Sequence, residues 1–220
     1  MLDTIELILS SGLGNHVIRD MDLANLFLGT AASRYGLVNK ALKAKELVRL
    51  RRGFYVVAPR YQSTPFSQYY LANRMIAYSF ITAESALSFH GWIPERVTEV
   101  LSLSAFGRNK QFDTPYGHFV YRVIPIVASQ FLLGVHYIKT DHQPLWVASP
   151  LRALLDLIQW HKLDQVNLDF LQHGLRIEPE HFLSIQLWDI KQLQQVYTAP
   201  RIQRFLNHLQ REVNNAPPYH

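Results

Sequence analysis

Apolar positions recur at helical spacing in three short blocks at the start of the chain. Ile5, Leu7, Ile8 and Leu9 predict a helix over residues 3–11, stopped by Gly12 and Gly14. A second helix is expected from about Met21 to Leu28, with Asp20 or Asp22 in its first turn and Gly29 as a left-handed cap. Thr30 then caps a third, from Ala31 to Ala44, whose inward stripe is Leu37, Val38, Ala41 and Leu42. Tyr35, Asn39, Lys40 and Lys43 turn outward, and Gly36 costs this helix about 1 kcal/mol relative to alanine. Two β-rich runs follow, LVRL and FYVV, joined by Arg51, Arg52 and Gly53, a hairpin signal with glycine where positive φ is needed.

Pro59 and the polar run Tyr61 to Pro65 read as a linker, dividing the chain into units at 1–60 and 66–220. A helix is expected over Phe66 to Ile76, then a short one capped by Thr82 and ended at Gly91. Alternation predicts strands at 98–106, 118–125, 133–139 and 145–148, with another extended stretch between the turn sequences GRNK and DTPYG. Ser149 and Pro150 open the helix PLRALLDLIQW, and helical patterning continues to about Asn214. The second unit is therefore expected to be α+β, strands first and helices after.

Composition narrows the chemistry. Of 220 residues, 48% are hydrophobic and 18% charged, which favours a folded globular chain over a disordered one. The absence of cysteine removes disulfide scaffolds, thiol catalysis and thiolate metal sites. No apolar run reaches membrane-spanning length, and Asp3 and Glu6 replace the basic start of a signal peptide, so the expectation is a soluble cytoplasmic protein without a membrane partner. Between residues 34 and 60 eight bases, among them Arg34, Lys40, Lys43, Arg49, Arg51 and Arg52, face only Glu46, an excess of +7 that points to a polyanion partner.

Catalytic signatures are weak. Ten histidines occur without an HExxH spacing, and His136 with His142 straddle a turn. No dinucleotide or phosphate loop is present. Asp156, Asp164 and Asp169 lie in a helical region, where solvated charges and caps explain them as well as paired catalysts do. His90 before Gly91 suits the negative end of a helix dipole. The expectation is a protein without enzymatic activity, metal or cofactor.

Three helices, a tight turn before the third and a hairpin directly after it form the order of a winged helix-turn-helix. In that reading Ser33, Arg34, Tyr35, Asn39, Lys40 and Lys43 face double-stranded DNA from the third helix, and Arg49, Arg51 and Arg52 from the wing. The alternative is a protein-docking module solubilised by its bases. Three segments, LVNKALKAKELVRLRRGFYVV (37–57), YSFITAESALSFHGWIP (78–94) and LWVASPLRALLDLI (145–158), resemble successive landmarks of the AbiEi antitoxin family of type IV toxin-antitoxin systems. The resemblance implies a winged helix that binds operator DNA and represses its own operon. It also implies a second domain that counters a nucleotidyltransferase-like toxin without a stable complex. That second domain is nearly neutral here, so a basic surface on it would rest on Arg96, Arg108, Lys110 and Arg122. A stand-alone winged-helix regulator whose second domain senses a ligand or protein is the other reading.

Overall fold

A computed structural model describes residues 3–95, 97–139, 143–164, 166 and 170–215 of a mixed α+β chain. Helix α1 (Thr4–Ser10) is opened by a reciprocal cap: the Asp3 carboxylate accepts from the Thr4 amide at 2.7 Å, and Glu6 accepts from the Asp3 amide at 3.1 Å. A strand of only two residues, β1 (Ile18–Arg19), leads into α2 (Asp20–Leu26). Thr30 caps α3 (Ala31–Lys43) by accepting from the Ser33 amide at 3.2 Å. Strands β2 (Leu47–Arg51) and β3 (Phe54–Val57) form the expected hairpin, and β1 pairs with the other side of β3, so the sheet order is β1-β3-β2.

The hairpin turn is tighter than the sequence suggested. Arg51 is the last residue of β2, opposite Phe54, and only Arg52 and Gly53 make the tip. Gly53 has φ +75°, and a Cβ there would lie 2.7 Å from Asp20 Oδ2. Its carbonyl accepts from the Asp20 amide at 3.1 Å, so the tip is seated on the start of α2.

FYVV reads as an unbroken apolar run because β3 is covered on both faces. Tyr55 and Val57 join Ile5, Ile8, Ile18, Leu23 and Val38 in the N-terminal core. Val56, together with Leu50, belongs to the larger core of the residues that follow, and Phe54 and Val48 pack against it. The segment expected to be a linker holds a short 3-10 turn, Pro59–Tyr61, and Gln62 donates to the Tyr116 hydroxyl at 2.7 Å.

The second core is built on a six-stranded mixed sheet of order β6-β7-β5-β4-β9-β8. After α4 (Gln68–Met75) come β4 (Ser79–Ile81), α5 (Ala83–Phe89), β5 (Glu99–Ser104), β6 (Lys110–Thr114), β7 (Gly117–Arg122), β8 (Val135–Ile138) and β9 (Leu145–Ala148). Two of its pairings are parallel: β5 with β7, and β4 with β9 through Ile81 and Val147. Helix α6 (Pro150–His161) begins as expected, with Ser149 Oγ accepting from the Arg152 amide at 3.3 Å and Pro150 in its first turn. A π-type turn at Phe170–Gly174, α7 (Pro179–Leu183), α8 (Leu187–Leu193) and α9 (Pro200–Asn215) complete the helical part.

At its centre Arg152 and Asp156, one turn apart on α6, are both fully buried. Arg152 Nε lies 3.1 Å from each Asp156 oxygen, and its Nη1 donates to the carbonyls of Phe131 (3.1 Å) and Leu133 (2.6 Å). Asp156 also accepts from the Tyr197 hydroxyl and from Thr82 Oγ1, each at 2.6 Å. Burial, and then the Asp156 charge, push the Tyr197 pKa well above its ordinary value, which keeps the proton for this bond. Thr82 was expected to cap α5; its hydroxyl is used by Asp156, and it makes no side-chain cap.

His90, at the end of α5, also departs from expectation. Its Nε2 is 2.8 Å from the Ala148 carbonyl, and burial pushes its pKa below the ordinary histidine value, with that hydrogen bond opposing the shift. The neutral ring is therefore favoured, not a cation paired with a dipole.

Two outcomes follow for stability. Asp156→Ala should cost about 3–5 kcal/mol in urea unfolding, because it strands a buried guanidinium. Asp164→Ala, whose exposed carboxylate lies 3.6 Å from Arg201, should cost no more than about 1 kcal/mol. For His90 the unfolded chain takes up the proton first, so stability should fall as pH drops below about 6.5 and be unaffected by this group above it. The pH slope of the urea midpoint should be shallower in His90→Gln than in the parent chain.

Candidate nucleic-acid interface

The N-terminal core fixes which side of α3 faces out. Val38 and Ala41 are buried and Leu37 and Leu42 partly so, which leaves Ser33, Tyr35, Lys40 and Lys43 exposed and Asn39 half-buried. Tyr35 is 65% exposed, unusual for a tyrosine on a helix with a core at hand. Neither Lys40 nor Lys43 has an ion-pair or hydrogen-bond partner among the described residues. The outward face of α3 therefore holds two uncompensated cations, a ring and an amide, with small residues Ala31, Ala32, Ser33 and Gly36 towards its start.

The arginines divide into three groups. Arg34 Nη1 donates to the Gly29 carbonyl at 2.7 Å, which ties its side chain back to the corner between α2 and α3. Arg49 and Arg52 are exposed, Arg49 with its guanidinium 5.8 Å from the Tyr55 ring centre and Arg52 at the hairpin tip. Arg51 is placed differently from the expected wing cation. Its Nε donates to the Met75 carbonyl at the end of α4 at 2.9 Å, and its guanidinium lies 3.4 Å over Phe54 and 6.0 Å from Phe112 of β6. Burial lowers its pKa from the ordinary arginine value, with Tyr121 opposing. Arg51 fastens the hairpin to α4 and is half-buried against the protein.

Sequence reasoning missed the corner between α2 and α3. The helix expected to reach Leu28 stops at Leu26; Phe27 turns into the core and Leu28 is 94% exposed. Leu28 closes an apolar run at helical spacing, so its pattern alone points inward, and only the chain reversal at Gly29 turns it out.

The remaining candidates scatter. Asp156 is part of the buried network and His136 is exposed on β8, while His142, Asp169 and Arg96 lie outside the described residues. Arg108 and Lys110 are exposed, and Arg122 lies 5.4 Å over the Trp160 ring. Among the described residues no group of three or more histidine or carboxylate side chains could hold a metal ion, and no helix is long and apolar enough to cross a membrane. The chain matches no protein-family model and no curated protein.

Gly36 gives a direct handle on α3. A Cβ at this position would meet nothing within 4 Å. Gly36→Ala should therefore raise stability by up to about 1 kcal/mol in urea unfolding, the helix propensity gained without a steric cost.

Proposed function

We propose that the chain binds double-stranded DNA through α3 and acts as a transcription regulator, and that it is an autorepressing antitoxin of the AbiEi type. The observation that carries the DNA reading is the outward face of α3, where Lys40 and Lys43 have no ion-pair or hydrogen-bond partner among the described residues, on a helix held by its own core. Its surroundings support a winged helix-turn-helix: the order α1, β1, α2, α3, β2, β3 and a sheet in which β1 joins the hairpin. A helix about 10–12 Å across fits a major groove about 12 Å wide. In this reading Tyr35, Asn39 and Ser33 meet base edges, Lys40 and Lys43 meet phosphates, and Arg49 and Arg52 touch the backbone from the hairpin. Arg34 holds the corner, and Arg51 takes no part.

The antitoxin half rests on the resemblance alone. Two of the segments that carry it lie together inside the second core, where Ile81 pairs with Val147, Thr82 bonds Asp156 and His90 bonds Ala148. Such words specify how the unit folds. The toxin as partner is inferred from the kinship they suggest, and a nucleotidyltransferase encoded beside this chain is the neighbour it calls for.

The test is DNA binding over a salt series with full-length protein and an operator fragment from its own promoter. Lys40→Ala and Lys43→Ala should each flatten the slope of log affinity against log salt by about 0.9, whereas Arg51→Ala should leave the slope unchanged and lower the melting temperature. Gly36→Ala should weaken binding in spite of its greater stability, because a methyl group then stands where DNA must approach. In co-expression with the adjacent toxin, the lysine variants should lose repression yet keep rescue. Equal slopes for Lys40→Ala, Lys43→Ala and the parent chain would remove α3 from the interface.

A further inference from the structure

We infer that the second unit carries a binding site for a flat aromatic ring bearing a negative charge, of nucleotide size, at one end of its six-stranded sheet. A cleft of about 1330 Å³ opens there, where β4 and β9 begin and β5, β7 and β8 end. Two aromatic pairs line it: Tyr78 with Phe106, edge to face with ring centres 5.9 Å apart, and Tyr137 with Trp146, 5.0 Å apart. All four rings keep substantial exposure, 75% for Tyr78, 72% for Phe106, 51% for Tyr137 and 40% for Trp146. Tyr78 is also held at φ +54°, a left-handed conformation that strains a residue with a side chain, and such strain gathers at ligand sites.

The polar groups choose among ring-bearing ligands. Among the described residues Arg74 is the one charged side chain lining the cleft, its guanidinium resting 5.3 Å over the Tyr70 ring and in no ion pair. No described carboxylate joins it there, so the described lining attracts an anion and offers a cation no partner. Asn73 adds a donor: its Oδ1 accepts from the Trp146 amide at 2.5 Å, while its Nδ2 is buried without a hydrogen-bond partner among the described residues. A base stacked on the aromatic pairs, with its phosphate on Arg74 and an acceptor edge at Asn73, satisfies all three features. The volume admits one or two such units and the site needs no DNA, so the inference stands whether or not α3 reads a duplex.

The experiment is calorimetric titration of the full-length protein with the four ribonucleoside monophosphates, with adenosine and inorganic phosphate as separate arms. Saturable one-to-one binding of at least one monophosphate is expected. Arg74→Ala should weaken that monophosphate at least about tenfold and leave adenosine unchanged, because it removes only the charge contact. Tyr137→Ala and Phe106→Ala, both at exposed side chains that should leave the thermal melt in place, should each weaken it about five- to a hundredfold. Binding of none of the four monophosphates would overturn the inference, as would phosphate alone binding equally well with no loss in Tyr137→Ala. Binding of a single-stranded oligonucleotide of about ten residues more than about a hundredfold tighter than any monophosphate would replace it with a single-strand channel.

Discussion

Arg152 and Asp156 could not stay buried alone. Each would forfeit several kcal/mol of hydration in the interior, and a bare ion pair does not repay that loss. The two charges are kept by what surrounds them: Thr82 from the end of β4, Tyr197 from the loop before α9, and two carbonyls of the turn that precedes β8. Thr82, Tyr197 and the turn come from three different parts of the chain, so the polar groups of α6 fix where three separate elements must lie. The flanking rings of Phe80 and Tyr197, 5.1 and 5.6 Å from the guanidinium, complete the enclosure. The sheet, the helical C-terminal part and the cleft at the sheet's end all depend on this arrangement.

Much of the fold was legible where periodicity and caps agree. The third helix, the hairpin, β9 and the start of α6 were each announced by a cap or an alternation that the structure repeats. β1 was not, because two residues cannot display an alternation, and it exists only through its partner β3. Thr82 was legible as a cap by type but not by use, since the carboxylate that claims it is seventy-four residues away. The pair at 152 and 156 shows the same limit: the spacing of an ordinary surface salt bridge lies here in the most enclosed part of the molecule.

The N-terminal charge was read correctly as an excess and unevenly as a surface. Nothing in the string LVRLRRGF separates Arg49 and Arg52, which reach solvent, from Arg51, which turns back over Phe54 towards α4. The difference lies in an irregularity of the strand pairing between Arg49 and Arg51 and in a second unit against which one face of the hairpin is pressed. The aromatic cleft was invisible for a related reason. Tyr78, Phe106, Tyr137 and Trp146 are spread along the chain and meet only once the mixed sheet has brought its strand ends together.

The two-sided strand β3 also orders events during synthesis. The N-terminal helices and their hairpin share a core drawn from residues 5–61, so this part can close soon after it leaves the ribosome. Leu50, Phe54 and Val56 then present an apolar strip, beside the unpaired edge of β2, for as long as it takes to make α4 and the strands beyond it. A nascent chain stalled in that interval would offer an edge and a greasy face to its neighbours, the combination that recruits chaperones or seeds aggregates. Growth of the second unit ends the exposure, and Arg51 closes on the Met75 carbonyl only when α4 is in place.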